Sequence, residues 1–354
     1  MTFYYYIRGY GFNSQFVEKL MNERGNWKQY NLKNKSENLD ILLIGGDLLL
    51  NKKMWINATL KNLLDKKEVL KITNKHNTYD ILENKKNINK YLLDQKTINF
   101  LDYYKTNNIY TLKKYFQDDV YIFKPVSGWK GFGIEVFNNF NDFKNYFDEI
   151  INKYQHKWKN LNKNSKESII TNHVWILQKY IINPLLYNDK KFHLRSYFLI
   201  YCDYNKREKY YCKKVRIIHA KKKYNLNNYS DKGVHDTHAL SNYFIDFETE
   251  FTKLYGTKIV EKIYDQIIEL SKIIMENIQC ICYKENKVCY QLFGIDLMVL
   301  PNFKIKLIEL NEDPGYSPIL FDDFFQEILE KIIDKAFPPK NKIKKSKLNN
   351  FQKI

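Results

Sequence analysis

Two acidic residues on neighbouring predicted strands are the part of the sequence best suited to chemistry. The apolar runs 292–300 and 305–310 flank a four-residue loop, which is typical of an antiparallel β-hairpin. If the residues that border the loop pair with each other, Asp296 lies directly opposite Glu309. Like charges about 5 Å apart on paired strands repel, which favours a divalent cation between them. Asn311 lies on the same face as Glu309 and supplies another oxygen ligand.

The other face of this hairpin is apolar, which predicts that it is buried in a core. An exposed hairpin is the alternative, because Lys304 and Lys306 are available to pair with the two carboxylates. The residues expected on the core face are Ile295, Leu297, Val299, Ile308 and Leu310.

A glycine-rich loop is the second chemical feature. A predicted strand, 120–126, runs into the loop 127–133, and a further strand, 134–137, follows it. Because glycine lets backbone N–H groups approach phosphate oxygens closely, such a loop can fold over a polyphosphate. Lys124 at its base and Lys130 within it can each pair with phosphate. An ordinary hairpin loop is the alternative.

Basic side chains on two later strands provide sites for anions. Lys191, His193 and Arg195 lie on one face of a predicted strand by period two, and Arg216 lies on a later strand. Each arginine can bind a carboxylate or a phosphate through two hydrogen bonds. Pairing with surface acids is the alternative.

Two weaker features also indicate a nucleotide. The predicted strand 174–182 has a polar break at Gln178 and Lys179, where free backbone groups can hydrogen-bond a purine edge. Lys75 precedes a helical pattern, so that its ammonium and a helix N-terminus can face one anion.

The remaining patterns predict the scaffold. The strands 3–7 and 40–46 flank a helix, 14–21, and form a small βαβ-like unit. Helical structure is expected over 52–101, 259–275 and 324–337, and the polar stretch 235–238 favours an ordinary loop over a metal site. The tail 340–354 carries six lysines and no acid, and we expect it to be disordered.

Composition narrows the class of protein. The chain of 354 residues is 44% hydrophobic and 16% aromatic, which excludes wholesale disorder, and its net charge is +18. The charge indicates a partner that is a nucleic acid, an anionic membrane or an acidic polypeptide, with compositional bias as the alternative. Neither a membrane-spanning run nor a signal peptide is found, so a soluble, intracellular protein is expected. Its five cysteines are expected to be buried free thiols.

Together these stretches resemble the ATP-grasp fold and, within it, the tubulin–tyrosine ligase family. The matching segments are YIFKPVSGWKGFGI, WILQKYIINPLL, KFHLRSYFLI, YQLFGIDLMV and LIELNEDP, in the family's order. The segment Asn26-Trp27-Lys28 also resembles the family's N-terminal region. The chain is more similar to the tyrosine-adding members than to the larger polymodifying ones.

The resemblance implies a role for each matching residue. Those expected to contact the ATP phosphates are Lys75 and Lys124, with a covering loop that includes Ser127, Gly131 and Gly133. Those expected to hold the adenine are Gln178, Lys179, Tyr180 and Ile181. Those expected to bind the acceptor carboxylate and the acyl phosphate are Lys191, Arg195 and Arg216. Those expected to hold Mg²⁺ with ATP are Asp296, Glu309 and Asn311.

The implied reaction activates a carboxylate as an acyl phosphate, which an amine then attacks to give an amide, ADP and phosphate. The implied partners are a free amino acid, most simply tyrosine, and the acidic C-terminal tail of α-tubulin in the cytoplasm. A monomer is expected, without a membrane or a specific nucleic acid. The expected fold is α/β (α+β), an ATP-grasp fold divided into a βαβ-like domain at 1–70, a central domain at 71–182, a C-terminal domain at 183–339 and the tail.

Three departures from the family pattern surround the expected amino-acid pocket. His193 replaces an aspartate, His238 falls near an expected asparagine, and Glu312-Asp313 replaces small residues. These changes leave the amino acid open. A glutamylase or glycylase of tubulin, another ATP-grasp carboxylate–amine ligase, and a basic nucleic-acid-binding protein with a vestigial cleft are the alternatives.

Overall fold

The computed structural model describes residues 2–7, 12–29, 41–43, 60–61, 88–126, 133–159, 174–202, 206–237, 244–277, 288–311, 314, 321–347 and 349–354. Its strands are β1 (Phe3–Ile7), β2 (Trp27–Gln29), β3 (Ile41–Leu43), β4 (Leu60–Lys61), β5 (Gln95–Asn99), β6 (Tyr121–Pro125), β7 (Glu135–Phe137), β8 (Val174–Lys179), β9 (Leu186–Tyr187), β10 (Lys190–Cys202), β11 (Arg207–Cys212), β12 (Arg216–His219), β13 (Ile245–Asp246), β14 (Val288–Val299), β15 (Ile305–Asn311) and β16 (Phe351–Lys353). Its α-helices are α1 (Phe12–Glu23), α2 (Phe100–Thr106), α3 (Phe140–Lys159), α4 (Lys232–His235), α5 (Phe247–Tyr255), α6 (Thr257–Glu276) and α7 (Phe321–Ala336), and a 3-10 helix spans Ile109–Phe116.

The strands form two sheets, which confirms the predicted α+β class. The small sheet has the order β5-β8-β6-β7 with antiparallel neighbours throughout. In the large sheet, β10 lies between β12 and β14, and β14 continues through β4, β3 and β1 to β2. The N-terminal strands therefore extend the same sheet as the C-terminal ones. The predicted domain boundaries stay predictions.

The N-terminal unit is a βαβ arrangement, but the strand that follows its helix differs from the predicted one. β1 pairs in parallel with β2 after α1, and β3 pairs in parallel with the other side of β1. The strand that directly follows the helix is thus 27–29 rather than 40–46. The helical prediction over 52–101 is wrong at β4 and β5. At β5, five residues pair with β8, and this tertiary pairing outweighs a weak helical pattern.

Strand β10 is central because both of its faces are buried. Its side chains at 192, 194, 198 and 200 pack with α5 and α6 in one core. On the opposite face, Tyr197, Leu199 and Tyr201 pack with α1 and α7 in a second core. That second face is polar at its N-terminal end, at Lys191, His193 and Arg195. This face of β10 thus changes from charged and polar to apolar residues along the strand, so the charged residues lie directly beside the second core.

The small sheet is held against α3 by aromatic side chains. Phe140, Phe143 and Phe147 recur at helical spacing on α3 and are buried. Phe123 of β6 stacks on Trp175 of β8 with ring centroids 4.6 Å apart. Because each buried Phe stabilises by about 1.5–3 kcal/mol, this core fixes the strands that lead to the glycine-rich loop.

The C-terminal segment is ordered where the structure describes it, so the expectation of disorder is wrong. β16 pairs antiparallel with β11, and Phe351 is fully buried. The Glu327 carboxylate accepts hydrogen bonds from the backbone N–H groups of Asn350 and Phe351, both at 2.9 Å. The buried Phe351 side chain and the Glu327 carboxylate therefore fix the C-terminal segment against the protein, although the charge pattern of this segment alone predicts disorder.

Two further expectations have outcomes in the described residues. No helix there is long and apolar enough to cross a membrane. Cys212 is a buried free thiol as expected, whereas Cys202, whose register neighbour is Cys289, is disulfide-bonded. The prediction of free thiols is therefore wrong for Cys202.

Candidate functional site

An open cavity brings most of the predicted site residues together. It is lined by β6 and β8 of the small sheet, by β10, β14 and β15 of the large sheet, and by the segment around α4. The predicted residues that line it are Lys124, Gln178, Lys179, Tyr180, Ile181, Lys191, Asp296 and Glu309. Predicted site residues from both sheets therefore lie on one surface.

The hairpin forms from β14 and β15, and Asp296 pairs with Glu309 as predicted. The predicted register near the loop is wrong, because Val299 rather than Leu300 pairs with Ile305. A shift of register directly beside Asp296 absorbs the extra residue. The acidic pair is therefore correct, although the counting that led to it omitted a β-bulge.

Ile308 is the extra residue of this bulge, opposite no partner of its own. It lines the cavity, so its predicted place on the core face is wrong. Ile305 and Leu307 take the core positions on this strand. The bulge thus turns two consecutive residues, Ile308 and Glu309, toward the cavity.

Four charged residues form a row across four neighbouring strands. Arg216 of β12 pairs with Arg195 of β10, Arg195 pairs with Asp296 of β14, and Asp296 pairs with Glu309 of β15. We call these residues the charged row. Its cationic and acidic halves meet at Arg195 and Asp296, where the Arg195 guanidinium donates from Nε to Oδ1 and from Nη2 to Oδ2, the latter at 2.8 Å.

Burial and charge act in opposite directions on the two arginines. Burial opposes the charge of Arg195, but the adjacent Asp296 outweighs it and raises the pKa of the guanidinium. Burial lowers the pKa of Arg216; Tyr197 opposes this shift, and Arg195 adds to it. Arg216 is therefore the less stabilised cation of the row, and an anionic ligand would stabilise it most.

The acidic half of the row offers oxygen ligands suited to Mg²⁺. Asn311 donates from Nδ2 to Asp296 Oδ2 and to Glu309 Oε1, both at 3.3 Å. If the amide rotates by 180°, its oxygen faces the carboxylates, and all three side chains then fit an ion that prefers oxygen. Within the described ranges, no group of three His, Cys, Asp or Glu side chains could hold a metal. Mg²⁺ commonly completes a small set of protein ligands with phosphate oxygens or water.

Lys124 lies at the base of the glycine-rich loop and is buried. Its ammonium donates to Gln178 Oε1 at 2.9 Å and contacts the Ile308 carbonyl at 3.5 Å. Gly133, which ends the loop, has a φ of +74°, and a Cβ there would lie 3.2 Å from Pro125 and Trp175. Glycine is thus required at this position by both backbone and space.

The end of β8 leaves a backbone donor for a planar ligand. Lys179 N–H donates to Asp94 O at 2.7 Å, and Tyr180 N–H donates to Val120 O at 2.8 Å. Among the described residues, the N–H of Ile181 meets no backbone acceptor. The side chain of Lys179 pairs with Asp119 at 2.9 Å. The backbone rather than the Lys179 ammonium is therefore suited to an adenine edge.

Lys191 is fully buried at the cavity wall, and its acceptors are neutral. Its Nζ donates to the Tyr180 hydroxyl at 2.9 Å and to the His235 carbonyl at 3.3 Å. Burial lowers the pKa of the Lys191 ammonium to about 7; Asp236 opposes this shift and Lys124 adds to it. A phosphate or carboxylate beside Lys191 would stabilise its charged form.

His193, His235 and Thr237 also line this cavity, and sequence reasoning gave them no role in the nucleotide site. His193 Nδ1 lies 2.7 Å from Thr237 Oγ1, and its Nε2 lies 3.6 Å from Asp296 Oδ1. The prediction of a loop at 235–238 differs from the structure at His235, which ends α4. The signal that could have indicated this short helix is Asp231, whose side chain caps α4 at Gly233.

Several predicted residues lie outside the described residues. These are Lys75, Ser127 and Gly131 of the expected phosphate contacts, and His238, Glu312 and Asp313 of the departures from the family pattern. Arg195, Arg216 and Asn311 do not line the cavity, but the first and last bond Asp296, which does.

Comparison with known proteins agrees with this geometry. The model of the tubulin-tyrosine ligase family matches residues 55–345. A probable tubulin polyglutamylase of Caenorhabditis elegans is 25% identical over 63% of the chain and 53% of its own length. A tubulin glycylase of Tetrahymena thermophila is 26% identical over 66% of the chain and 23% of its own length. A probable tubulin–tyrosine ligase of Saccharomyces cerevisiae is 22% identical over 67% of the chain and 36% of its own length. The chain thus spans only part of the relatives it matches.

Proposed function

Since the chain belongs to the tubulin-tyrosine ligase family, we propose that it is an ATP- and Mg²⁺-dependent ligase that joins an amino acid to a protein through an amide bond. The observation that carries this proposal is the charged row, whose acidic half, Asp296 and Glu309, lines the cavity and whose cationic half continues from it across β10 and β12. Such a row can hold a metal-bound phosphate at one end and a carboxylate at the other.

The residues of the small sheet would bind ATP. Lys124 would pair with its phosphates, and the backbone at Ile181 would donate to the adenine. Lys75, Ser127 and Gly131 belong to the same proposal through their match to the family's motifs. Asp296, Glu309 and Asn311 would hold Mg²⁺, which neutralises the phosphoryl oxygens during transfer.

The cationic residues of the large sheet would bind the carboxylate. Arg195 donates a hydrogen bond to Asp296. It would therefore hold the Asp296 carboxylate in position and also add positive charge to the carboxylate-binding site. Arg216 and Lys191 would pair with the carboxylate that receives the phosphoryl group. The acyl phosphate is then attacked by the amine, and phosphate leaves. Arg216 would stabilise the negative charge that develops on the tetrahedral carbon's oxygen.

An acidic tail of tubulin is the acceptor we propose, in the cytoplasm. The relatives whose names specify tubulin support this choice, and the net charge of +18 suits an acidic polypeptide. A monomer would suffice, because residues of one chain line the cavity. The exposed lysines of the C-terminal segment, which we call the basic strip, add a charged surface: Lys340, Lys342, Lys344, Lys345 and Lys347.

Tyrosine is the amino acid that the match of sequence motifs favours. A glutamate or glycine ligase is the second candidate, because a polyglutamylase and glycylases are among the relatives that match over a similar share of the chain. His193 stands beside Asp296 where the family motif has an aspartate, so the pocket departs from that motif for either candidate.

The test is incorporation of labelled tyrosine, glutamate and glycine, each with ATP, Mg²⁺ and tubulin with and without its C-terminal tyrosine. We expect incorporation to require ATP, Mg²⁺ and the acidic tail. Tyrosine incorporation into detyrosinated α-tubulin supports the finer proposal, and glutamate or glycine incorporation alone replaces it with the second. No incorporation of any of the three would contradict the proposed function.

A further inference from the structure

A continuous chain of hydrogen bonds runs from the cavity into the protein through a buried histidine. Lys191 Nζ donates to the Tyr180 hydroxyl at 2.9 Å, the hydroxyl lies 2.8 Å from His235 Nδ1, and His235 Nε2 lies 3.0 Å from the Asn228 carbonyl. All three side chains are buried. These contacts join the end of β8, the start of β10 and α4, which are distant in sequence.

The direction of each bond follows from the last acceptor. A carbonyl oxygen can only accept, so His235 Nε2 carries a proton and donates it to Asn228. Burial lowers the pKa of His235, and Lys191 lowers it further, which favours the neutral ring; with the proton on Nε2, Nδ1 accepts from Tyr180. The Tyr180 hydroxyl has then used its proton, and its lone pairs face Lys191. The Asn228 carbonyl thereby sets the orientation of every group up to the cavity.

Aromatic rings hold this chain in place. Tyr229 stacks on His235 with centroids 5.7 Å apart and an interplanar angle of 15°, and Tyr180 meets the same ring edge-on. The ammonium of Lys191 also lies 4.2 Å from the centroid of the Tyr180 ring. The contacts leave Lys191 one well-defined position, although its side chain is long and flexible.

We infer that Tyr180 and His235 are positioning residues that hold the charged end of Lys191 against the reacting carboxylate. This inference rests on the proposed function. Without the hydroxyl, the ammonium loses an acceptor in a buried place, which disfavours its charged form. The titratable groups that face this chain are Lys124 on β6, Tyr224 and Asp231 near α4, and Asp236 after it.

The test compares the pH dependence of ligation in Tyr180→Phe and Tyr229→Phe. Both changes remove one hydroxyl from rings that contact His235, but only Tyr180 bonds Lys191. We expect wild-type activity to fall above pH of about 7, where Lys191 loses its proton. In Tyr180→Phe this fall should move to lower pH, with kcat reduced about tenfold. Tyr229→Phe should match the wild type.

A second pair of variants separates hydrogen bonding from packing. His235→Asn keeps an acceptor near the Nδ1 position and should restore most of the activity that His235→Leu loses. Identical pH profiles in Tyr180→Phe and Tyr229→Phe would overturn the inference. If the wild type ligates nothing, the proposed function fails instead, and an NMR titration of the Lys191 ammonium in the wild type and in Tyr180→Phe still decides the inference: an unshifted pKa of Lys191 in Tyr180→Phe overturns it.

Discussion

Charged side chains of the large sheet form two groups, one around Glu208 and one around Lys191 in the cavity, and the two groups differ in their hydrogen-bond partners. At Glu208 of β11, the carboxylate accepts hydrogen bonds from Lys335, Tyr210 and Lys353, with Lys353 at 3.0 Å. In the cavity, Lys191 is bonded instead to a hydroxyl and a carbonyl. The charge of Glu208 is therefore neutralised by lysines of the same protein, whereas the ammonium of Lys191 is hydrogen-bonded to neutral groups.

This difference helps to distinguish a charged residue that stabilises the fold from one that binds a ligand. The Glu208 cluster ties α7 and β16 to β11, so its opposite charges meet because the fold brings those elements together. In the cavity, the charge of Lys124 lowers the pKa of Lys191, and the charge of Asp236 opposes this shift. Buried cations near one another are costly unless an anion joins them.

Glu309→Gln is expected to cause the largest loss of activity among the variants that compare the cavity with the Glu208 cluster. The change removes one carboxylate of the charged row without changing its size, so Mg²⁺-dependent ATP turnover should fall about 100-fold or more. The melting temperature should stay within about 2 °C, because the change also relieves repulsion with Asp296. Turnover and melting of the same preparation provide the measurement. Wild-type turnover would remove Glu309 from the metal site.

Lys124→Ala is expected to have the next largest effect. A charge-assisted contact is worth about 1.5–3 kcal/mol, so the Kd for ATP should rise about 10- to 150-fold. Calorimetry with ATP and Mg²⁺ measures it. Lys179→Ala is the matched control, because its ammonium pairs with Asp119 and its proposed part is played by its backbone. Equal losses in both variants would contradict the assignment.

The residues of the charged row were predicted because they obey strand periodicity, but the pairing of Arg195 with Arg216 and with Asp296 was not predicted. The alternation at Lys191, His193 and Arg195 gave their common face, and the hairpin gave the pairing of Asp296 with Glu309. Sequence reasoning missed His235 because α4 is a four-residue helix with little periodicity of its own. Its burial depends on Tyr180 and Lys191, which reach it from other elements.

The errors in the fold have a similar cause. The residues of β5 predict a helix on their own, because their pairing with β8 is not visible in their sequence. The lysines of the C-terminal segment predict disorder, although Phe351 is buried and Glu327, distant in sequence, accepts hydrogen bonds from the backbone of the segment. Short elements that depend on tertiary partners carry little local signal.

Glu208→Gln tests the structural group and should spare catalysis. Burial alone would raise the pKa of Glu208, but hydrogen bonds from Lys335, Tyr210 and Lys353 lower it to about 2. The free energy of unfolding should fall by about 1–3 kcal/mol at neutral pH, while the Kd for ATP stays unchanged. Denaturant unfolding and calorimetry measure the two quantities.

The pH dependence of that loss gives a further check on the same variant. Since the folded pKa is below the ordinary value of 4.5, the stabilisation is complete above that pH and is lost as pH falls toward about 2. The difference in unfolding free energy between wild type and Glu208→Gln should therefore shrink over this range. A difference that stays constant down to pH 2 would show that the carboxylate charge has no part in it.

The smallest effect is expected at the basic strip, which has charges but no partners of opposite sign in the described structure. The acids beside it are bonded elsewhere: Glu330 accepts from Ser346 N–H at 2.8 Å, and Glu327 accepts from the backbone at Asn350. The strip's lysines are therefore held on an ordered backbone without neutralisation, which suits an acidic polypeptide.

Changing all five lysines of the basic strip to Gln should raise the KM for a tubulin acceptor about three- to tenfold and weaken its salt dependence, with the Kd for ATP unchanged. The control carries the same loss of charge elsewhere, at Lys96, Lys105, Lys113, Lys258 and Lys272. If both variants raise KM equally, only net charge matters. If RNA binding falls while KM for tubulin does not, the strip serves nucleic acid. A selective rise in KM would identify it as a docking surface for the acceptor, formed by charges that, unlike Glu208, have no ion pair among the residues that the structure describes.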